Sequence, residues 1–382
     1  MKWFYSCLFC AVLAVPLVNH AQSHTPDVIP VGIAAPMSGP IAHLGKDIDS
    51  GARLAFRQIN NSGLVINGKK VRFDLITVDD QSDPKVATQV ANLLVDRKVV
   101  AVIGHYNSGT SIPASRIYAA HGIVQITPGA TNPLLTHQGY KTVFRTIAND
   151  NQQGQVLADF AFDRLAARQI AVIDDGSAGG QGQANLFSAL FKRRGGKIID
   201  REFTTQNAVD FTSILTRIKR HRPDLIFFGG LDVQAGPLVR QMKTLKMEVR
   251  VLGTDGMQSN VFTRLAGDAA VGHYASSVGL PKTQMPRFGP FAAAFSADYG
   301  DMQAYAPYSY DAAMIIVEAV KQADSARPAD FVKKIRTMNY PGVTGTITFD
   351  DNGDINRGVI TVYQVNESGQ WQPAMSSGEA IR

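Results

Sequence analysis

Residues 99–127 read VVAVIGHYNSGTSIPASRIYAAHGIVQIT. An apolar run, VVAVIG (99–104), has the length and composition of a buried strand. A loop of small, hydroxyl and amide residues follows, then a helix-period segment from Pro113 to His121. A second short apolar run, GIVQIT (122–127), closes the unit. Strand, helix and strand in this order predict two parallel strands with a helix packed on their sheet.

The same rhythm extends in both directions. Upstream, VIPVGIAA (28–35) and VRFDLITVDD (71–80) read as strands. A helix is expected from Asp47 to Ile59, with Ile48, Ala52, Phe56 and Ile59 on one face. Another is expected from Lys85 to Arg97, opened by Asp83-Pro84 as cap and first-turn proline. Downstream, strands are expected at 169–175, 197–203, 224–230 and 250–256. Helices at 152–167, 181–194, 211–220 and 233–245 alternate with them. The two series match in rhythm but not in sequence, which predicts two similar α/β lobes. The tail carries helices at 288–298, 308–323 and 328–338, then GTITFD (345–350) and a strand at 359–365. Asp350-Asp351-Asn352-Gly353-Asp354 reads as a turn; it lacks the distal glutamate of a calcium loop.

Composition agrees with two folded domains. The chain has 382 residues, 45% of them hydrophobic and 18% charged. The net charge of +6 is spread along the chain, with no run of Lys and Arg to mark a nucleic-acid surface. At the amino end, Lys2 precedes an apolar stretch from Leu8 to Val18, and small and polar residues continue to Ala21. That layout is a secretory leader, expected at 1–21. The stretch is shorter than the roughly 20 residues of a membrane span. Both cysteines, Cys7 and Cys10, fall inside it, so a processed chain has no thiol. Export to a bacterial periplasm is the expected destination.

Catalytic signatures are missing. No G-x-G-x-x-G follows a strand, and no G-x-S-x-G or H-E-x-x-H occurs. GPIAHLGK (39–46) has the wrong glycine spacing for a phosphate loop, and Asp47 stands where such a loop needs Ser or Thr. His105 and His121 follow element ends and read as surface or capping residues. Neither an enzyme nor a cofactor or metal is expected.

Binding chemistry is present instead. In open α/β sheets, ligands lie beyond the carboxyl ends of strands, near helix amino ends. Three such ends carry suitable residues. The stretch from Gly104 to Ser111 offers hydroxyls and backbone N–H groups suited to a carboxylate, Ser108 among them. Thr127 to Pro133 offers Gly129, Ala130 and Thr131. Ordinary helix capping is the alternative for both. In the second lobe, Gly253-Thr254-Asp255-Gly256 carries an acid able to pair with an ammonium group. Carboxylate on one lobe and ammonium on the other describe a zwitterionic guest. Tyr106, Tyr305 and Tyr308 are available to line such a cleft, with core packing the alternative for each.

At these residues the chain resembles the leucine/isoleucine/valine-binding proteins of bacterial ABC transporters, within type I periplasmic binding proteins. The likeness runs over about residues 28–370. Its markers are Ala35 to Pro40, Asp79-Asp80, Val102 to His105, Ile126 to Pro128, and Phe228 to Gly230. The resemblance implies two Rossmann-like lobes with parallel-sheet cores joined by a three-segment hinge. Residues 28–148 with 279–357 would form one lobe, and 149–278 with 358–370 the other. It also implies a monomer that captures an amino-acid-like solute and passes it to a membrane permease. The positions matching Ser108, Gly129 and Thr131 would hold the carboxylate, and Asp255 the amino group. Leu44, Gly179 and Leu231 replace aromatic residues, Asp255 replaces a glutamate, and Ser82 and Asn107 replace the cysteines of a disulfide. These departures imply a reshaped pocket. A sensory module for an amide or an aromatic acid is the alternative function.

Overall fold

The computed structural model describes residues 26–378. The leader expected at 1–21, with both cysteines, lies outside them.

The first sheet holds β1 (Asp27–Ala35), β2 (Val65–Ile66), β3 (Lys69–Asp79), β4 (Ala101–Gly104), β5 (Val124–Thr127) and β6 (Val143–Arg145). Its helices are α1 (Ala42–Asn61), α2 (Pro84–Asp96) and α3 (Ser108–Ala120). Strand order is β2-β3-β1-β4-β5-β6, parallel except for the β2–β3 hairpin. Every residue of β4 and β5 is buried, because a parallel sheet is covered on both faces.

The chain then passes to the second sheet. Here β7 (Gln169–Asp174), β8 (Lys197–Phe203), β9 (Leu225–Gly229), β10 (Arg250–Gly253) and β11 (Tyr274–Ser277) run parallel. They alternate with α4 (Asp150–Asp159), α5 (Ala178–Arg193), α6 (Thr212–His221), α7 (Asp232–Thr244) and α8 (Asn260–Ala266). The chain returns to the first core through α9 (Phe288–Tyr299), α10 (Ala306–Ala323) and α11 (Pro328–Arg336). There Ile315 and Ile316 pack with Ile33, Ile103 and Ile126. After the hairpin β12 (Tyr340–Pro341) and β13 (Thr346–Ile347), it crosses a third time. It then adds β14 (Thr361–Val365) and β15 (Trp371–Ser376) antiparallel at the edge beside β11.

Both sheets share one topology. The first runs β3-β1-β4-β5-β6 and the second β8-β7-β9-β10-β11. Each therefore has a switch point, between β1 and β4 and between β7 and β9, where the crossovers diverge and a crevice opens. At these two crevices stand Tyr106 and Ser108, the first residue of α3, on one side, and Leu231 and Gly179, the second residue of α5, on the other.

Several elements differ from expectation. Helix α3 starts at Ser108, not Pro113; the proline sits inside the helix. Helix α1 starts at Ala42, five residues before Asp47. Strands β6 and β11 and helix α8 were not anticipated. They are short, and YASS in β11 carries almost no apolar signal. Among the described residues, no helix is long and apolar enough to cross a membrane.

Candidate functional site

Ser108 is the first residue of α3 and is buried. The Asn107 side chain makes no capping bond. The Ser108 hydroxyl accepts from the Asn132 backbone N–H at 3.2 Å, which ties the loop after β4 to the loop after β5. Gly129 must be glycine: a Cβ there would stand 2.5 Å from the Tyr106 ring. The Gly129 and Ala130 N–H groups do not point free into the cleft. Both donate to Thr127 Oγ1, at 3.2 and 2.9 Å. Beneath this loop lies the fully buried Arg145, which donates to the carbonyls of Ala130 and Asn132 and pairs with Asp354. Asp354 leaves the turn in which Asp350 Oδ1 accepts the N–H groups of Asn352, Gly353 and Asp354.

Asp255 follows β10 and is buried. Its Oδ1 accepts from Gln153 Nε2 at 2.9 Å and Gln183 Nε2 at 3.3 Å. Its Oδ2 accepts from the Tyr305 hydroxyl at 2.8 Å. Burial pushes the Asp255 carboxyl above the usual carboxylate range, and these three donors act against the rise. Gln183 also reaches Thr131 Oγ1 at 3.3 Å and Asp150 Oδ1 at 3.0 Å. One amide thus joins a hydroxyl beside the first sheet to two acids beside the second. Asp150, at the start of α4, is raised to about 6, chiefly by burial, with the nearby Asp255 charge adding to it. Its Oδ2 is buried without a hydrogen-bond partner.

The remaining candidates close the space. Tyr106 and Tyr305 are buried and meet edge to face, with ring centroids 5.0 Å apart. Tyr305 is set by Asp47 of α1, whose Oδ2 accepts the N–H groups of Tyr305 and Ala306 at 2.7 Å each. Leu44 is buried in the first core; Leu231 is half-buried and packs against the same cluster. Gly179 opposes Ser108: a Cβ on it would lie 3.7 Å from Ser108 Oγ. Tyr308 lies apart from this group, its hydroxyl buried and unpaired beside Gly279.

Further bonds run between the two sheets' loops. Asn132 Nδ2 donates to the Ala178 carbonyl at 3.0 Å. His43 Nε2 lies 2.8 Å from Asp232 Oδ2, joining α1 to α7. The crevices are therefore apposed, in a closed arrangement.

The sequence pattern of the family described as "Periplasmic binding protein" matches residues 28–370. This chain belongs to that family. It is 35% identical over 349 residues to Leu/Ile/Val-binding protein homolog 1 of Brucella abortus, covering 91% of this chain and 92% of that protein. It overlays on the leucine binding protein LivK of Thermotoga maritima with a TM-score of 0.85 at 26% identity, covering 91% and 98% of the two chains. The branched-chain amino acid transporter substrate binding protein LivJ of Streptococcus pneumoniae, in complex with isoleucine, overlays with a TM-score of 0.81 at 25% identity. That match covers 92% of this chain and 99% of that one. The expected α/β architecture of type I periplasmic binding proteins stands.

Ser108, Thr131, Asp255, Tyr106, Tyr305, Gly179 and Leu231 lie at the apposed crevices, joined by the contacts above, while Leu44 is a buried member of the first core. Gly129 and Ala130 lie in the same loop with their amides engaged. His105 corrects the sequence reading: it is fully buried, neither surface nor cap. Asp80 holds its Nδ1 at 2.7 Å and the Tyr118 hydroxyl faces its Nε2 at 3.1 Å. Sequence reasoning missed Gln153, Gln183, Asp150 and the His43–Asp232 pair. A signal was present for two of them. Gln153 and Gln183 each stand four residues before a buried apolar side chain, Leu157 and Phe187, on the covered face of a helix. A polar residue at such a position needs a polar partner.

Proposed function

We propose that this chain is the periplasmic substrate-binding component of an ABC transporter, holding an amino acid or amino-acid-like solute between its lobes. The observation that carries this reading is the opposition of Ser108 and Thr131 to Asp255 across apposed crevices, bridged by Gln183. The ligand carboxylate sits at the amino end of α3 on the Ser108 and Thr131 hydroxyls, where the helix dipole favours an anion. The ammonium pairs with Asp255. Gly129 and Ala130 form the floor of the carboxylate end; Tyr106, Tyr305, Leu44, Gly179 and Leu231 enclose the rest. The names of the relatives, a leucine binding protein and an isoleucine complex among them, support an amino acid as guest.

The lobes divide near residues 148, 278 and 357, giving 28–148 with 279–357 and 149–278 with 358–370. Closure about these segments removes water from the cleft and strengthens each polar contact. Ligand binding shifts an open–closed balance, and no bond is made or broken. The chain works as a monomer, after removal of its leader, and delivers its ligand to a membrane permease. A thermal-shift screen of the processed protein against the common L-amino acids tests this. At least one should raise Tm in a concentration-dependent way, because a ligand that binds only the folded state stabilises it by mass action. Failure of every L-amino acid would remove the reading.

A further inference from the structure

Gln183 Nε2 stands among three acceptors and has too few protons for them. It lies 3.0 Å from Asp150 Oδ1, 3.3 Å from Asp255 Oδ1 and 3.3 Å from Thr131 Oγ1. A carboxamide nitrogen carries only two N–H groups. Turning the amide over gives no relief, because its carbonyl oxygen would then face two carboxylate oxygens. Two of the three contacts are long, and Asp150 Oδ2 remains buried without a hydrogen-bond partner. Gly182, the preceding residue, lets α5 come this close: a Cβ on it would stand 2.8 Å from Asn132 Nδ2.

Gln153 is the contrast. Its Nε2 donates to the same Asp255 oxygen at 2.9 Å, and its Oε1 accepts from the Asp255 N–H and the Ser276 hydroxyl. Asp255 therefore keeps its orientation without Gln183. Asp150 and Thr131 are fixed side by side through their backbones, the Asp150 N–H donating to the Thr131 carbonyl at 2.9 Å. Gln183 thus fills a socket that other bonds hold in shape. Among the described residues, no cation is hydrogen-bonded to either acid. Arg145, whose charge reaches Asp150, is paired with Asp354. Three acceptors about one point, two of them acids, match an ammonium, with its three N–H groups and positive charge. A neutral amide meets neither requirement.

We propose that the Gln183 amide is a built-in stand-in for the guest's ammonium: the guest takes its place between Asp150, Asp255 and Thr131, and the glutamine side chain turns out of the socket. The proposal rests on the amino-acid reading above. It adds Asp150 as a second acid for the ammonium, and Gln183 as a competitor that the guest displaces. Thr131 serves both ends of the guest, since a hydroxyl donates one bond, to the carboxylate, and accepts another, from the ammonium.

Isothermal titration calorimetry with each of the common L-amino acids tests it, on the native chain and on Gln183→Met and Asp150→Asn. Methionine has about the reach of glutamine but no N–H donor. With the competitor gone, the amino acid that the native chain binds should bind Gln183→Met at least about threefold more tightly. It should bind Asp150→Asn at least about tenfold more weakly, through loss of one counter-charge. The two variants act in opposite directions, so general damage to the fold does not imitate the result. Weaker or unchanged binding by a folded Gln183→Met would show that the amide contacts the guest or only ties the loops, and would overturn the proposal. An Asp150→Asn affinity within about threefold of native would overturn it as well, and this variant decides if Gln183→Met does not fold. No heat from any L-amino acid on the native chain would instead remove the amino-acid reading itself.

Discussion

The Tyr305 hydroxyl donates to Asp255 Oδ2 across 2.8 Å, joining the start of α10 to the loop after β10. Each partner belongs to a different core, so this single bond spans the cleft at its deep end. Asp47 fixes the tyrosine from behind by accepting its backbone N–H. Gln153 fixes the acid by donating to Oδ1 and accepting the Asp255 N–H. The two sides are thus held in place by the protein's own bonds, which lowers the cost of ordering them on binding. Tyr305→Phe keeps the ring contact with Tyr106 and removes the crossing bond, together with the long 3.4 Å bond that the Tyr106 hydroxyl donates to Tyr305. Ligand affinity measured by calorimetry should fall by about 0.5–1.5 kcal/mol. An unchanged affinity would mean that the bond contributes equally with and without the ligand.

Ser108→Ala should weaken ligand binding by roughly 1–3 kcal/mol, because the ligand carboxylate loses a hydroxyl donor in a buried site. Calorimetry on the variant measures this directly. A loss confined to protein stability, with the affinity unchanged, would return Ser108 to bridging its two loops through Asn132.

Acid should act in opposite directions on the empty and the loaded protein. In the fold Asp150 titrates near 6, against 3.8 for an ordinary aspartate. Between those values the folded state holds a proton that the unfolded state lacks. The stability contributed by this group therefore rises as pH falls through the window, and is lost as pH rises through about 6. A bound ammonium needs ionised carboxylates, so affinity should fall over the same range, with Asp255 contributing in the same direction. Asp150→Asn resembles the protonated form. Its stability relative to the native chain should be greater at pH 7 than at pH 5, by on the order of 1 kcal/mol. Denaturant titrations at the two pH values check this, and a difference independent of pH would contradict it.

The His43–Asp232 contact bridges α1 and α7 at the cleft rim, where the histidine is partly exposed and the aspartate fully buried. Asp232 keeps bonds from the Ser259 hydroxyl and the Val233 N–H when the imidazole is removed. His43→Ala should therefore leave the fold intact and cost the closed form about 0.2–1 kcal/mol. Stopped-flow release should be faster by a few-fold at most. A slower release would show that the pair opposes closure.

Arg145 should matter for stability more than any other side chain near the site. Removing it takes the arginine charge from the buried Asp354, which keeps bonds from Thr136 and Asn149 and the His137 ring at 3.7 Å, and takes a donor from the carbonyls of Ala130 and Asn132. Arg145→Met should destabilise the chain by about 3–5 kcal/mol, read by denaturant titration. A loss under about 1 kcal/mol would mean that the loop of Gly129 and Thr131 stands without it.

Much of the architecture was legible because buried parallel strands read as unbroken apolar runs. AVIG in β4 and LIFFG in β9 are buried at every residue. Strands β6 and β11 were not legible, since three or four residues, polar ones among them, give no periodicity to count. The start of α3 was not legible: the expected helix began at Pro113, whereas the helix begins five residues earlier, at Ser108, and carries the proline inside. At the site, Ser108, Thr131 and Asp255 stood out by type and by their place after strands. Gln153 and Gln183 did not, because an amide has no charge to attract notice. Their role comes from the packing of α4 and α5, which points both amides at one acid. The turning of the Gly129 and Ala130 amides toward Thr127 could not be read either, since it depends on backbone direction rather than residue type.

Calorimetry on Asp255→Ala, with whichever L-amino acid the native protein binds, goes to the heart of the matter. An ammonium enclosed beside Tyr305 without its counter-charge should bind at least a hundredfold more weakly, about 2.7 kcal/mol or more. Affinity kept within about tenfold, roughly 1.4 kcal/mol, would show that the guest is not gripped by charge on the second lobe.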